Sequence, residues 1–452
     1  MIGRFFRDSG FSMGGQVVAL VFGLMSSVVL TRVLGPEQRG IFAVVLLLPL
    51  TVQALVASGL TATIVYSVAS GKWSPQEIVG RVVGIWFYVS LAMIVAGIVA
   101  IGFSDVLFKD APKSLLIYSL ALMPIGFLHE CLIAVLMGKR DFKARMKVTF
   151  WAAPIGFMLV VIFVWWLGWG VFGAVTGTLA GFFVGIFLGV RAVYRVMGTG
   201  HIRWVPELRV SVLREDMDFG GKSYLSNVSH YLSYRADQFL VNGMIGSSAV
   251  GIYAVAVGLV EKLWLVVENF ATVLFPAASD ASEDASALAS FTGRMASVVL
   301  LLFIIGGAMF GLIADWLVVF LYSSEFGRAG LVIVLLLPGI ISHGHAKIIG
   351  NYLAGSGYPG VNAIGGIGTL AINIACNLYL IPRWGIAGAA AATSISYLVG
   401  AIYLYASFVR ITGLPLAIGL IPRRSDMGSA IRKGWAIGKG LCVGATDRGR
   451  AG

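Results

Sequence analysis

Apolar positions in this chain neither alternate nor keep to one helical stripe. They continue in runs of about 18 to 25 residues, long enough to cross roughly 30 Å of hydrocarbon as a helix. The runs begin near Phe11, Ile41, Val79, Ser114, Val148, Val171, Ser223, Gly251, Ala296, Gly330, Val361 and Ile386. They predict twelve membrane-spanning helices. The seventh and eighth depart from the pattern. At 100° per residue, Asn227, His230, Tyr231, Tyr234, Arg235, Asp237, Gln238 and Asn242 fall within an arc of about 200°, opposite Leu225, Val228, Leu232, Ala236, Phe239 and Leu240. In the eighth run Glu261, Lys262, Leu265, Glu268, Asn269 and Thr272 share a stripe opposite Leu263, Val266, Val267 and Phe270. An ionised side chain at mid-bilayer costs about 2.5 to 3.5 kcal/mol on insertion, so these two helices require an interior that hydrates or pairs them. Arg235 and Asp237 are about 160° apart around one helix and cannot simply neutralise each other. At least one must turn to another helix or into a cavity. Ion pairs that only hold helices together are the alternative to a functional site.

The runs repeat. Leu34-Gly35-Pro36-Glu37-Gln38-Arg39-Gly40-Ile41-Phe42-Ala43-Val44 returns 211 positions later as Ile245-Gly246-Ser247-Ser248-Ala249-Val250-Gly251-Ile252-Tyr253-Ala254-Val255. Trp169-Gly170-Val171-Phe172-Gly173-Ala174, with Thr178, Val184 and Gly185, returns 215 positions later as Trp384-Gly385-Ile386-Ala387-Gly388-Ala389, with Thr393, Val399 and Gly400. Six spans are therefore duplicated. Because six is even, both copies start from the same side of the membrane, which predicts parallel repeats about an axis along the membrane normal. That is the scaffold of an alternating-access transporter with its site between two lobes. The expected divisions are an N-lobe over 1–190, a cytosolic connector over 191–222, a C-lobe over 223–410 and a basic cytosolic tail over 411–452.

Composition agrees with an all-α polytopic membrane protein: 58% of the 452 residues are hydrophobic, 12% are charged, and mean hydropathy is +0.90. With the N-terminus inside, only Arg32, Arg39, Lys109, Lys113, Arg328 and Arg383 fall in outside loops, and Arg235, Lys262 and Lys347 fall within spans. The rest of the 33 Lys and Arg residues lie inside, which places both termini in the cytosol. The net charge of +12 then reflects topology and attraction to anionic headgroups, and does not call for a nucleic-acid partner. Cys131, Cys376 and Cys442 are odd in number and scattered, without disulfide or metal spacing, and no nucleotide-binding signature or cofactor motif is present.

Other polar groups cluster on single faces. His129 and Glu130 lie in the fourth span, about two turns before the basic stretch Lys139, Arg140, Lys143, Arg145 and Lys147. That stretch is a topogenic signal, and a functional addition would be docking of anionic lipid headgroups. In the tenth span, the counterpart of the fourth, His343, Lys347 and Asn351 recur at i, i+4, i+8. Thr369, Asn373 and Asn377 form a stripe in the eleventh. These groups either line a shared lumen or glue the bundle by interhelical hydrogen bonds. The tail after the twelfth span is Gly-rich and basic, with one apolar piece, Leu414 to Ile421, too short to cross; it is expected on the inner leaflet or disordered.

The opening Leu30-Thr31-Arg32-Val33-Leu34-Gly35-Pro36-Glu37-Gln38-Arg39-Gly40 resembles the start of bacterial polysaccharide flippases. Arg235-Ala236-Asp237-Gln238-Phe239-Leu240, Gly251-Ile252-Tyr253-Ala254-Val255-Ala256 and Leu274-Phe275-Pro276 resemble the start of their second half. This is the polysaccharide transporter branch, including Wzx-like O-antigen flippases, of the multidrug/oligosaccharidyl-lipid/polysaccharide exporter superfamily. The resemblance spans about the first 410 residues and implies a V-shaped pair of six-helix lobes in the bacterial inner membrane. It also implies a substrate, a polyprenyl-pyrophosphate-linked oligosaccharide moved from the inner to the outer leaflet. Such a substrate needs cations for its phosphates and hydroxyl, amide and aromatic groups for its sugars. Arg235, Lys262 and Lys347 are the candidates for phosphate. Asn227, Tyr231, Tyr234, Gln238, Asn269 and Asn373 are those for sugar. Asp237, Glu261, Glu268 and Glu130 are candidates for a proton or sodium switch or for a gate with Arg235, and His129, His343 and Asn351 for further lumen polarity. Beyond the lipid-linked glycan and membrane lipids, partners would be the coupled proton or sodium ion and other polysaccharide-assembly proteins. Three alternatives fit less well. A cation-coupled multidrug exporter would not want three intramembrane bases, a lipid II flippase typically has fourteen helices, and a glycan polymerase or ligase needs a larger outside loop than Ser104–Lys113, the longest here.

Overall fold

The computed structural model describes residues 2–57, 59–103, 108–197, 224, 228–229, 231–264 and 285–422, and among these all regular secondary structure is helical, with no strand. Among the described residues nine stretches are long and apolar enough to cross a membrane. The first, α1 (Ile2–Ala57), joins the first two predicted spans, because what the sequence suggests is a loop is a turn at one residue. Gly35 takes φ 69°, ψ 176°, a conformation closed to most L-residues, and Pro36 restarts the helix where a missing N–H costs nothing. The chain continues through α2 (Leu60–Ala69), α3 (Pro75–Gly102), α4 (Lys113–Ser119), α5 (Leu122–Gly138), α6 (Phe142–Val161) and α7 (Gly170–Met197). Local chemistry sets the boundaries. Ser74 and Glu77 form a reciprocal capping box around Pro75, and Asp141 caps α6 by accepting from the Ala144 N–H at 2.8 Å.

The second half holds a helix over 231–244 (α8), then α9 (Ser247–Val260) with a 3₁₀ turn at Glu261–Leu263, and α10 (Ala285–Tyr322). It ends with α11 (Arg328–Gly355), α12 (Pro359–Trp384) and α13 (Ile386–Thr412). Gly246 repeats the turn of Gly35 with φ 121°, ψ 177°. The duplicated sequence has therefore kept a duplicated backbone.

The two halves meet at one end of the bundle. A Cβ on Gly40 would lie 1.7 Å from the Ser247 carbonyl oxygen, and one on Gly251 would lie 2.1 Å from that of Pro36. Neither residue can be anything but glycine without separating the helices. Shifted by 211 positions, Gly40 becomes Gly251 and Pro36 becomes residue 247, so the contact maps onto itself. Trp165, Trp166, Trp169, Trp316, Phe320 and Trp384 are exposed near the same end, the arrangement of an interfacial aromatic belt.

Ordered structure continues past two of the expected division points. α7 runs on to Met197 past the expected N-lobe limit at 190, so the connector's first seven residues are helix. The start of the tail is not loose. Leu416–Gly419 forms a 3₁₀ turn against the C-lobe, where His345 Nε2 bonds the Gly419 carbonyl at 2.9 Å and the Tyr405 hydroxyl donates to the Leu416 carbonyl. Residues 198–223 and 423–452 lie outside the described residues.

Candidate substrate cleft and ion site

The charged stripe of α8 divides as its 160° separation requires. Arg235 Nη1 and Nη2 lie 2.9 Å and 3.4 Å from Glu261 Oε1 and Oε2, a two-pronged pair between α8 and the end of α9. Asp237 turns the other way, into the C-lobe, and is 2% exposed. Its Oδ2 accepts from the Tyr253 hydroxyl at 2.5 Å and from Thr393 Oγ1 at 3.2 Å, and its Oδ1 accepts from the Gln238 N–H at 2.7 Å. Hydrogen bonds to a charged acceptor are worth about 1.5 to 3 kcal/mol each, enough in total to hold a carboxylate at this depth.

The stripe on α12 joins the same network. Asn373 Nδ2 donates to Thr393 Oγ1 at 3.3 Å and to Ser396 Oγ at 3.2 Å, and Asn377 Nδ2 donates to Asn373 Oδ1 at 3.0 Å. Asn377 Oδ1 is buried without a partner. One carboxylate, three hydroxyls and two side-chain amides thus stand together inside the C-lobe, with the Asn377 amide oxygen left over. Hard oxygen donors of this kind suit an alkali cation or, at the carboxylate, a proton.

Next to this network lies an aromatic cluster. The Tyr234 hydroxyl is 2.7 Å from His343 Nε2, and its ring centroid is 5.1 Å from Trp264 and 6.0 Å from Tyr397. Trp264 Nε1 donates to the Ile340 carbonyl at 3.2 Å. Trp264 and Tyr397 carry no charge and read as core in the sequence. The aromatic enrichment that could have flagged them is spread over residues 133 positions apart.

The remaining expected groups scatter. Lys262 is exposed and lines a cleft of about 320 Å³ between the lobes, facing Gly15, Gln16, Ala19, Leu20, Arg145, Met146 and Thr149. Among the described residues no carboxylate lies within ion-pair distance of Lys262. Arg145, which the sequence presents as part of a topogenic cluster, is thereby brought opposite it, with Glu130 close enough for their charges to interact. His129 is seated against Gly185, where an added Cβ would come within 2.7 Å of the imidazole. Tyr231 is half-buried, Lys347 is partly buried and Asn351 is exposed. Asn373 and Gln238 differ from expectation. Both are buried, Asn373 completely and bonded within the C-lobe, so neither presents its side chain at a surface in this conformation. Asn227, Glu268 and Asn269 lie outside the described residues.

Residues 29–329 match the family described as polysaccharide biosynthesis protein. The chain belongs to that family. A relative in Haloferax volcanii, a probable low-salt glycan biosynthesis flippase, is 27% identical over 205 residues; the match covers 44% of this chain and 43% of the relative's length. Among solved structures, an inward-facing multidrug resistance MATE transporter of the MOP superfamily is similar with a TM-score of 0.71 at 17% identity, over 89% of this chain and 98% of its own. The lipid II flippase MurJ in an inward closed conformation is similar with a TM-score of 0.67 at 14% identity, over 89% of each chain. The family member is thus a multi-pass membrane protein with the two-lobe fold of MOP superfamily flippases and transporters, in a family of polysaccharide biosynthesis.

Proposed function

We infer that this protein flips a polyprenyl-pyrophosphate-linked oligosaccharide from the inner to the outer leaflet of the bacterial cytoplasmic membrane by alternating access. The observation that carries the reading is the placement of Arg145 and Lys262 on opposite walls of the cleft between the lobes. Two cations from different lobes make a receptor for a dianionic headgroup whose hold changes as the lobes rock against each other. Gln16 and Thr149 on the same walls suit sugar hydroxyls, while Ala19, Leu20 and Met146 leave an apolar seam along which a polyprenyl chain can stay in lipid.

The basic stretch Lys139–Lys147 borders the end away from the Gly40–Gly251 contact, which supports that end as cytosolic, the cleft as open inward and both termini as inside. The division into lobes over 1–190 and 223–410 puts one of the duplicated turns, at Gly35 and at Gly246, in each lobe. Arg235 is held by Glu261 and serves as an interhelical pair in this state, so the phosphate role falls to Lys262 and Arg145, with Lys347 deeper on α11. Asp237, with Thr393, Asn373 and Asn377, is the ion switch. A sodium ion or proton taken up there changes how α8, α9, α12 and α13 are tied together, and so couples an ion gradient to the lobe movement.

A cation-coupled multidrug exporter shares the fold, but its substrates are poorly matched by a cleft that presents Arg145 and Lys262. The two readings separate in cells. Arg145→Ala with Lys262→Ala should accumulate the lipid-linked precursor on the cytosolic side and reduce surface glycan at unchanged protein level. Normal surface glycan would exclude the reading, and drug sensitivity on deletion with normal glycan would favour the exporter.

A further inference from the structure

The end at which the lobes meet carries more than the glycine contact. Asp110, in the N-lobe connection between α3 and α4, places Oδ2 3.2 Å from the Ser247 N–H and so caps α9 of the other lobe. Its backbone has φ 66°, a left-handed conformation that Asp tolerates at modest cost. Shifted by 215 positions, Asp110 becomes Glu325, and Lys113 at the start of α4 becomes Arg328 at the start of α11. Glu325 in turn reaches across to the N-lobe, where its Oε2 lies 3.7 Å from where a Cβ on Gly35 would stand. A Cβ on Gly246, the counterpart of Gly35, would lie 3.1 Å from Asp110 Oδ2. Each lobe therefore sends one carboxylate to the glycine turn that begins the other lobe's helix.

The two halves are not equal. Position 247 is Ser, whose N–H is bonded, whereas its counterpart 36 is Pro, which has none to give. The N-lobe compensates elsewhere. Arg32 donates through Nε to the Leu321 carbonyl at 2.8 Å and through Nη2 to the Phe320 carbonyl at 2.5 Å, while from the C-lobe Asn242 Nδ2 donates to the Lys109 carbonyl at 3.2 Å. Every one of these bonds crosses between lobes, and all lie at the end where the lobes meet.

We propose that these contacts form a pseudo-twofold latch holding this end closed, with Asp110 on Ser247 as its stronger carboxylate arm and Glu325 on Gly35 as its weaker one. The Gly40–Gly251 contact is the surface the latch clamps. Opening this end breaks both arms together, because each carboxylate and the helix it meets belong to different lobes. The latch depends on the lobes alone and not on which substrate fills the cleft.

Double electron–electron resonance in lipid nanodiscs tests this directly, with spin labels on Ser114→Cys of the N-lobe and Arg383→Cys of the C-lobe and with Cys131, Cys376 and Cys442 replaced. Asp110→Ala should raise the ratio of separated to closed distances about tenfold, the value of one charge-assisted hydrogen bond near the surface. Glu325→Ala should raise it by less. If Asp110→Ala does not fold, Asp110→Asn should give the same direction with a smaller change. An unchanged distance distribution in the folded Asp110 variant would overturn the latch, and an effect of Glu325→Ala equal to or larger than that of Asp110→Ala would overturn its unequal arms.

Discussion

Neutralising one member of the Arg235–Glu261 pair tests whether this pair is a structural tie or a substrate contact. The nearest nitrogen and oxygen are 2.9 Å apart, and the side chains are only 25% and 23% exposed, so solvent screens them incompletely. At a charge separation of about 4 Å and an effective dielectric near 20, the attraction is about 4 kcal/mol, and desolvation of both groups takes back a part of it. We expect a coupling energy of about 1 to 3 kcal/mol. Arg235→Gln should destabilise by about 2 kcal/mol because Glu261 is left half-buried and unpaired, Glu261→Gln should do the same to Arg235, and the double variant should recover much of the loss. SDS-driven unfolding in mixed micelles, followed by tryptophan fluorescence, gives the four stabilities of the cycle. If the double variant is as unstable as the sum of the singles, the pair contributes no coupling and the structural role is refuted. If it is stable but binds pyrophosphate-bearing lipid far more weakly than the native protein, Arg235 is a phosphate ligand after all.

Three further outcomes follow from the geometry. Asp237→Asn should keep the fold, since the amide oxygen can still accept from the Gln238 N–H while its NH2 donates to the Tyr253 or Thr393 hydroxyl, and should abolish any dependence of transport on an imposed sodium or proton gradient; transport assays in vesicles with each gradient applied separately decide between the two ions. Thr393→Val should weaken the same dependence and cost about 1 to 3 kcal/mol in unfolding free energy, because Asn373 and Asp237 each lose a buried partner. Gly40→Ala places a methyl 1.7 Å from the Ser247 carbonyl oxygen, an overlap that side-chain motion cannot relieve, so it should either open this end, seen as labelling of a cysteine introduced at Thr149 from the outer side, or prevent accumulation of the protein.

The spans, the duplication and the charged stripes could be read in the sequence because each is a local or periodic signal. Length and apolarity mark a span, and Gly35 and Gly40 recur as Gly246 and Gly251 whether or not they touch. That they touch is a tertiary fact that no spacing encodes. The same holds for Asp237. Its stripe on α8 announces a buried charge, but its partner Thr393 lies 156 residues away, and Tyr253 presents itself only as the aromatic of a repeated motif. Asn373 and Asn377 are recognisable as a one-faced pair, and only the packing of α12 on α13 shows that they point at Asp237's network and away from a sugar. Arg145 was hidden for a different reason. Within a run of five basic residues, topology accounts for all of them equally well, and only the cleft singles one out.

The central claim is that the cleft between the lobes carries an anionic lipid-linked glycan across the membrane. Purified protein reconstituted into sealed liposomes with a fluorescent polyprenyl-pyrophosphate oligosaccharide measures this most directly, with a membrane-impermeant quencher reporting the leaflet that the label occupies. The account predicts protein-dependent transfer that falls about ten- to a hundredfold when Lys262 and Arg145 are both replaced by Ala, as expected for the loss of one or two charge-assisted contacts. Transfer by the native protein at the rate of protein-free liposomes, or transfer unaffected by removing both cations, would contradict it.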